Sequence, residues 1–454
     1  MDRYFVKTEE IEDLPKDIRT GKKIISVYGI GFVGTAITSV WLRAGATVIA
    51  VDKNNKIVNS INDKKIANTE PKAKEAFIEA VNNKKLFGTR NIKLAAKKSQ
   101  IKIVSVPVGI KNHIADLSNV YSVIDDITIN LNRNDIIIMT PTVPIGTSNQ
   151  LIKRMESKTK MKVNEDFFYI YSPERIAIGQ AIADIENNYP AIISGVGKKS
   201  LKIAKKIFGM ISSKNPIVMT STKAAEAEKL IEGLYRDVNI ALVNQIAILC
   251  EKEGIDIWEI RNAANSQPFS NLHKAGIGVG GYCIPIYPHL LLQTAKNRGI
   301  NLNLASISRE INEAMPAHCV NRILKELKQT NKKKKAAILG LAFRGDIPDK
   351  RLSPTYDLVN ELLANDIKVT VHDPFFDNDS LLPKSVKVTK NLKKAIRNVD
   401  IIIVATNHNQ YNKLNDEFVV KNSKAKTIVF DGRGILNRKN FTKIKLITIG
   451  QKND

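Results

Sequence analysis

What most limits the folds open to this chain is a set of short apolar runs that do not alternate with polar residues. Between Lys22 and about Ser194 these are IISVY (Ile24 to Tyr28), TVIAV (Thr47 to Val51), IKIVSV (Ile101 to Val106) and DIIIM (Asp135 to Met139), with further strand signals at Tyr169 to Tyr171 and Ala191 to Ser194. A strand with one wet face alternates apolar and polar side chains, whereas a parallel strand covered by helices on both faces does not. Helical patterns fill the intervals, so this half of the chain reads as a doubly wound α/β domain. The same texture returns after the basic run Lys332 to Lys335, at AAILGL (Ala336 to Leu341), KVTVHD (Lys368 to Asp373), DIIIVA (Asp400 to Ala405) and TIVFD (Thr427 to Asp431). That predicts a second, smaller α/β domain.

The middle has a different character. From Ser221 to about Glu253 there is no proline and one glycine, and Leu230, Leu234, Val238, Ala241 and Ile246 recur at helical spacing, with Ser221 or Thr222 available as an N-cap. A loop rich in glycine and proline follows from Gln267 to Pro288, then a second helical stretch to about Gln329. The expected fold class is therefore α/β, with two Rossmann-like doubly wound domains joined by a long central helix. The expected divisions are an N-terminal extension over 1–21, a first α/β domain over 22–219, a helical middle over 220–330 and a second α/β domain over 331–454. An amphipathic helix of this length also exposes apolar area that neither flanking domain need cover, which predicts a homodimer through it.

Composition removes several classes of function. No apolar run reaches the roughly 18 residues of a membrane span, and the opening MDRYFVKTEEIEDLPKDIRT is too charged for a secretory signal, so membrane insertion is not expected and a cytoplasmic location is. The net charge of +25 comes from lysines dispersed along the chain and is read as a surface that favours anionic metabolites, with no nucleic-acid partner. Three cysteines, Cys250, Cys283 and Cys319, are too few and too scattered for a disulfide framework or a zinc site, and no metal is expected.

Two motifs carry chemistry. VYGIGFVGTAI places Gly29, Gly31 and Gly34 in a GxGxxG pattern directly after a strand and at the opening of a helix. The first glycine permits the tight turn, the second lets the backbone approach a pyrophosphate, and the third lets helix and strand pack closely. Asp52 ends the next strand, where a carboxylate accepts the ribose 2′-hydroxyl and repels a 2′-phosphate, which selects NAD over NADP. The fingerprint Gly29, Ile30, Gly31, Phe32, Val33 and Gly34, with Asp52, is the expected cofactor cradle. The second motif, AGIGVGGYCIPIYP, sets Cys283 in a loop after Gly276, Gly278, Gly280 and Gly281, offering backbone amides to an anion and holding a thiol outside any regular element.

With these residues in place, the sequence resembles the nucleotide-sugar (UDP-glucose, UDP-N-acetylhexosamine) 6-dehydrogenase family. The resemblance runs in order through YGIGFVG, TPTVPIGT, YSPERIAIG, EAEKLIEGLYRDVNIA, GIGVGGYCIPIYP, ILGLAFRGD with RLSP, HDP and FDGRG. YSPER and YRDVNIA look more like the N-acetylhexosamine branch. The resemblance implies an NAD-binding first domain, a dimerising middle and a UDP-sugar-binding last domain. It further implies two successive oxidations of a UDP-sugar 6-hydroxymethyl group, through a thiohemiacetal and a thioester, to the carboxylate. The family's nucleophile falls on Cys283, its catalytic lysine on Lys229, its glutamate after Ser-Pro on Glu174 and its TVP threonine on Thr142, near water and nicotinamide. By the same resemblance Arg175, Ile176, Lys229, Arg236, Lys274 and Gly280 meet the substrate, and Arg344, Arg351 and Arg433 close over UDP and cofactor, Arg351 on the cofactor side. Lys229, Gly233 and Arg236 are spaced i, i+4, i+7 and share a helix face.

The sequence also departs from that pattern. Gly233 stands where the family usually has Asn, Tyr287 where it has Asp, Val108 and Gln267 where Thr and His are common, Thr140-Pro141 for Glu-Ser, and Arg344 for Lys. Tyr287 cannot serve as a carboxylate base. A two-electron β-hydroxyacid dehydrogenase, which needs a lysine and no cysteine, and a nucleotide-sugar-binding regulator that has lost catalysis are the competing readings.

Overall fold

The apolar runs form strands in the computed structural model, which describes residues 11–65, 71–327, 333–424 and 426–452. Lys332, Gln329 and the first ten residues of the N-terminal extension lie outside the described residues. The chain divides into two units: the described residues up to Ile231 with His289–Arg298, and Glu232–Pro288 with the described residues from Gly299 onward. Two of the three boundaries fall inside helices, Thr222–Glu253 and Tyr287–Lys296, and the third lies just after the second of these.

The first unit contains β1 (Ile25–Tyr28), β2 (Val48–Val51), β3 (Leu86–Thr89), β4 (Ile101–Val104), β5 (Gly109–Lys111), β6 (Ile114–Asp116), β7 (Ile136–Met139), β8 (Phe168–Tyr171), β9 (Ile192–Gly195) and β10 (Ile217–Val218). Among the described residues, eight of these make one sheet in the order β10-β9-β8-β7-β4-β1-β2-β3. Every residue of β1, β2, β4, β7 and β8 is buried, Ser26 and Lys102 included, as for strands covered on both faces. Ile25, Val27, Trp41 and Phe77 pack in one core cluster, and Tyr28, Val104, Ile137 and Tyr169 in another.

One expectation needs correcting. The Ala191 to Ser194 segment is in the sheet, but β9 runs antiparallel to β8, with Tyr171 opposite Ser194. An apolar run reports burial on both faces and carries no information on direction. The strands the sequence missed, β3, β5, β6 and β10, are short and partly wet. Of the N-terminal extension, Ile11, Leu14 and Ile18 join the first cluster, and Glu12 pairs with Lys202 at 3.0 Å and with Lys206.

The second unit holds β11 (Lys335–Leu339), β12 (Lys368–His372), β13 (Lys387–Thr389), β14 (Ile401–Val404), β15 (Ile428–Asp431) and β16 (Leu446–Thr448). They form an all-parallel sheet in the order β13-β12-β11-β14-β15-β16. Counted within the unit this is 3-2-1-4-5-6, the doubly wound order of a dinucleotide-binding fold.

The long helix Thr222–Glu253 begins where expected, with Ser221 Oγ accepting the Ala224 N–H at 3.1 Å. The second helical stretch is two helices, Tyr287–Lys296 and Asn303–Glu326, broken at Gly299, whose φ is +70°. Within the second unit, Asp237 of the long helix is fully buried and accepts from Arg309 Nη1 at 2.6 Å and Asn312 Nδ2 at 2.8 Å. Asn312 Oδ1 in turn accepts from Asn244 Nδ2 at 2.9 Å, so a polar seam registers the two helices.

A buried ion pair ties β4 to the loop before β7. Lys102 Nζ lies 2.8 Å from Asp135 Oδ2 and donates to the Ser99 carbonyl at 2.6 Å, and both side chains are essentially solvent-free. Burial pushes the lysine down and the aspartate up, and their mutual attraction opposes both shifts. Replacing one partner strands the other charge, which costs about 3–5 kcal/mol. Lys102→Met is therefore expected to lose about that much stability in urea unfolding, and Lys102→Met combined with Asp135→Asn to recover most of it. A single variant as stable as the parent would contradict this account.

Candidate active site

The GxGxxG turn has the shape a dinucleotide requires. Gly29 has φ +93°, and a Cβ there would meet the Ser105 carbonyl oxygen at 2.8 Å. A Cβ on Gly34 would fall 1.8 Å from the Gly29 carbonyl oxygen, whereas Gly31 has nothing within 4 Å. So Gly29 makes the turn, Gly34 admits the helix Phe32–Arg43, and Gly31 leaves its solvent side open at that helix's N-terminus. Asp52 follows β2 directly; its Oδ2 accepts the Ile30 N–H at 2.8 Å and its Oδ1 the Asn54 N–H at 2.8 Å. The residue is part-buried, and each carboxylate oxygen accepts one of these two amides. These residues fit NAD: Gly31 and the helix N-terminus suit its pyrophosphate, and Asp52 suits its ribose.

The first unit also carries Thr142, Glu174, Arg175, Ile176 and Lys229. Thr142 follows β7 in a segment leading to the helix Thr147–Thr159. A residue the sequence reading missed fixes that segment: Glu226, fully buried, accepts the Gly146 N–H at 2.6 Å and the Ser148 N–H at 2.8 Å. A carboxylate on these amides satisfies donors that the start of a helix leaves unpaired. The only sequence signal was its place one turn before Lys229.

Glu174 lines two small cavities, one of about 30 Å³ with Ser172, Arg175 and Ile176, the other of about 10 Å³ with Trp41, Thr140 and Phe208. Loss of solvent pushes its carboxyl up to about 7, partly offset by the charge of Lys229, itself buried. Asp184 accepts the Ala177 N–H at 2.8 Å and steadies the same loop, a role with no signal in the spacing of motifs. Arg175 is engaged locally, donating to the Pro190 carbonyl at 2.6 Å with its guanidinium 5.9 Å from the Tyr189 ring. Ile176 is part-buried beside it.

The second unit carries Arg236, Lys274, Gly280, Cys283, Arg344, Arg351 and Arg433. Cys283 is exposed, while Cys250 and Cys319 are buried. The glycines before it serve a purpose the sequence reading did not foresee. A Cβ on Gly280 would meet Phe343 Cβ at 2.6 Å and the Leu352 carbonyl at 2.8 Å, and one on Gly276 would meet Arg433 Nη1 at 2.9 Å. Two of the loop's amides are also spent, Gly281 N–H on the Arg351 carbonyl at 2.9 Å and Gly276 N–H on Asn244 Oδ1 at 2.9 Å. Close packing therefore accounts for these glycines at least as much as open amides do.

Arg351 is held by Asp349, with Nη2 2.6 Å from Oδ2, and its guanidinium lies 5.2 Å from the Tyr282 ring centroid. That raises its pKa, with Asp349 first and Cys283 among the smaller contributors, so its charge lies close to the thiol. Arg433 donates through Nε to the Ala405 carbonyl at 2.7 Å, and burial pushes it down to about 10. A desolvated guanidinium held by carbonyls favours an anionic ligand. Arg236, Lys274 and Arg344 are exposed. The long helix thus has Lys229 and Gly233 buried and Arg236 in solvent on one face.

Replacing Asp52 by Ala removes the acceptor of the Ile30 amide together with the ribose partner. The expected result is a raised KM for NAD and relaxed discrimination against NADP; equal use of both cofactors by the unmodified protein would contradict it.

Among the described residues no helix is long and apolar enough to cross a membrane. Three family models match in sequence: the NAD binding domain of the UDP-glucose/GDP-mannose dehydrogenase family over residues 23–212, its central domain over 223–314 and its UDP binding domain over 337–438. The chain is 32% identical to a UDP-N-acetyl-D-mannosamine dehydrogenase of Pyrococcus horikoshii over 417 residues, 91% of this chain and 96% of that one. It is 27% identical to an NDP-N-acetyl-D-galactosaminuronic acid dehydrogenase of Ralstonia nicotianae, covering 93% and 97% of the two chains. A solved structure of UDP-D-ManNAc dehydrogenase from Pyrococcus horikoshii superposes with a TM-score of 0.86 at 30% identity, covering 94% of this chain and 99% of that one. A glycine turn shaped for a dinucleotide, a desolvated arginine in the second α/β unit and three family segments in order lead to one assignment: the chain belongs to the UDP-glucose/GDP-mannose dehydrogenase family of NAD-dependent oxidoreductases.

Proposed function

We propose that the protein oxidises the 6-hydroxymethyl group of a UDP-N-acetylhexosamine to the carboxylate in two successive steps, with Cys283 as covalent nucleophile. The observation that carries this reading is the contrast among three thiols. Cys250 and Cys319 are buried, and burial pushes both thiols up, whereas Cys283 is exposed on a loop pinned at Gly281 and Gly276. A protein that only bound its ligand would have no use for a presented nucleophile.

NAD, when bound, supplies the hydride acceptor for each of the two oxidations. On this reading Lys229 stabilises the developing alkoxide and oxyanion, and Glu174 takes up protons and orients water with Thr142. The Cys283 thiolate adds to the aldehyde carbon to give a thiohemiacetal; oxidation of that adduct leaves a thioester, and water cleaves the C–S bond to release the carboxylate and restore the thiol. Arg175, Ile176, Arg236, Lys274 and Gly280 contact the sugar end, Arg344 and Arg433 the UDP end, and Arg351 lies on the cofactor side. The N-acetylhexosamine assignment rests on the names of the relatives at 27–32% identity and on the YSPER and YRDVNIA segments.

The same reading makes the protein a cytoplasmic homodimer organised as the expected extension, NAD-binding, helical and UDP-sugar-binding segments. Its interface is the long helix, where Ile231, Tyr235, Leu242 and Leu249 are each 45–56% exposed and lie along one stripe.

Cys283→Ser should fold and bind both ligands, because an exposed loop side chain loses little packing, but turnover to the uronate should collapse by several orders of magnitude. The parent should form two NADH per UDP-sugar consumed. Unchanged uronate formation by Cys283→Ser would eliminate the covalent route, and one NADH per substrate would favour a two-electron enzyme.

Glu174 gives a pH test. Its folded pKa of about 7 lies above the ordinary carboxylate value of 4.5, so the active carboxylate form is gained as pH rises through about 7. The sign for folding is opposite: ionising a group whose folded pKa is raised weakens the fold progressively between those two values. The rate of the unmodified enzyme should rise with pH around 7, and Glu174→Gln should lose both most of the activity and that limb. A Gln variant keeping the limb would assign it to another group.

A further inference from the structure

Glycine is among the poorest helix formers, so a buried glycine in the middle of a long helix needs a reason. Gly233 is such a residue, buried inside Thr222–Glu253. A Cβ built on it would lie 2.5 Å from Cδ2 of Tyr287, 3.2 Å from its Cβ and 3.3 Å from its Cγ. The closest of these atoms belongs to the near edge of the ring and the next is the Cβ at its root, so turning the ring relieves only part of the crowding. Any residue larger than glycine at 233 must turn the Tyr287 ring out of its seat and shift its root by a few tenths of an ångström.

Tyr287 is in turn the first residue of the helix Tyr287–Lys296, and its N–H donates to the Cys283 carbonyl at 2.9 Å; the Ile286 N–H donates to the same oxygen at 3.0 Å. On the other side of the cysteine, the Gly281 N–H donates to the Arg351 carbonyl at 2.9 Å. Cys283 therefore hangs between two backbone anchors, one of which ends in a ring seated on the long helix one turn after Lys229.

We infer that Tyr287, seated on Gly233, is a positioning residue for Cys283: the ring's fit against the bare helix backbone sets the turn that presents the thiol. The inference rests on the proposed role of Cys283 and deepens it. It assigns the work to the ring and its seat. Displacing the seat moves the Cys283 turn, and a misplacement of about 1 Å at a reacting group costs up to about 100-fold in rate.

The test compares Gly233→Ala, Tyr287→Phe, Tyr287→Ala and the double variant Gly233→Ala/Tyr287→Ala. Each is first checked for folding by its thermal midpoint, then measured in two ways. One is steady-state turnover with NAD and UDP-N-acetylmannosamine. The other is the second-order rate of Cys283 alkylation by iodoacetamide without substrate or cofactor, read by intact mass. For Gly233→Ala and Tyr287→Ala we expect kcat to fall about 10- to 100-fold with a smaller change in KM, together with a changed alkylation rate. Tyr287→Phe keeps the ring and should stay near the parent in both. Because both substitutions disturb the same contact, the double variant should be no worse than the poorer single one.

Gly233→Ala with raised thermal stability and unchanged alkylation and turnover, as for an ordinary helix glycine, would overturn the inference. So would Tyr287→Phe as impaired as Tyr287→Ala, which would move the role to the hydroxyl, or additive losses in the double variant. Failure of the covalent reading would register separately, as uronate formation by Cys283→Ser, because alkylation of the free protein reports the thiol without the reaction.

Discussion

Each α/β unit depends on a carboxylate that follows its second strand and accepts backbone amides of the turn after its first. In the first unit Asp52 holds the Ile30 amide. In the second, Asp373 Oδ2 holds the amides of Leu341 and Ala342 at 2.7 and 2.8 Å, directly after Gly340, whose φ is +112°. The turn must expose amides at the sheet's C-terminal edge, where a doubly wound fold binds ligands, and an acceptor on the neighbouring strand keeps it from collapsing. The two units use the bond differently. Asp52 is part-buried, while Asp373 is fully buried, with His408 3.3 Å away and the Phe375 amide on its other oxygen. One carboxylate is left open to a ribose; its counterpart has been absorbed into the core. The second sheet keeps the dinucleotide-fold order with its carboxylate closed off from solvent.

The legible part of the sequence was the part governed by burial. Runs such as IIIM and IIIV could become only strands covered on both faces, and the long helix announced itself by apolar spacing and the lack of proline. Direction was not legible, because β9 has the same composition parallel or antiparallel. Nor was Lys102 in IKIV, whose charge is tolerable only because Asp135, in a different run, arrives beside it. Sequence patterns record what a residue avoids; they record its partner only when the partner is nearby in the chain.

The same limit separates the two halves of the candidate site. Gly29, Gly34 and Asp52 were readable because turn, helix start and acceptor lie within one βαβ unit, so spacing alone fixes their geometry. Glu226 was not, since it acts by accepting amides of a loop, some 80 residues away in the chain, that the fold brings to it. The glycines of the Cys283 loop were visible, but the reason for them was not: they admit Phe343, Leu352 and Arg433 from segments some 60 to 160 residues further along.

Gly233 and Tyr287 carry this argument furthest. Against the pattern that the family resemblance implies, each taken singly is a loss: a side-chain amide on the helix that bears Lys229, and a carboxylate four residues after Cys283. In the structure they occupy one space, the ring of the second filling what a side chain on the first would need. Asparagine at 233 would collide with Tyr287, so neither position could return to the commoner residue alone without strain or a void. Two departures that look like decay when counted separately are thus complementary in packing in this chain. The chain retains the presented thiol and the buried lysine that a binding protein would be free to lose.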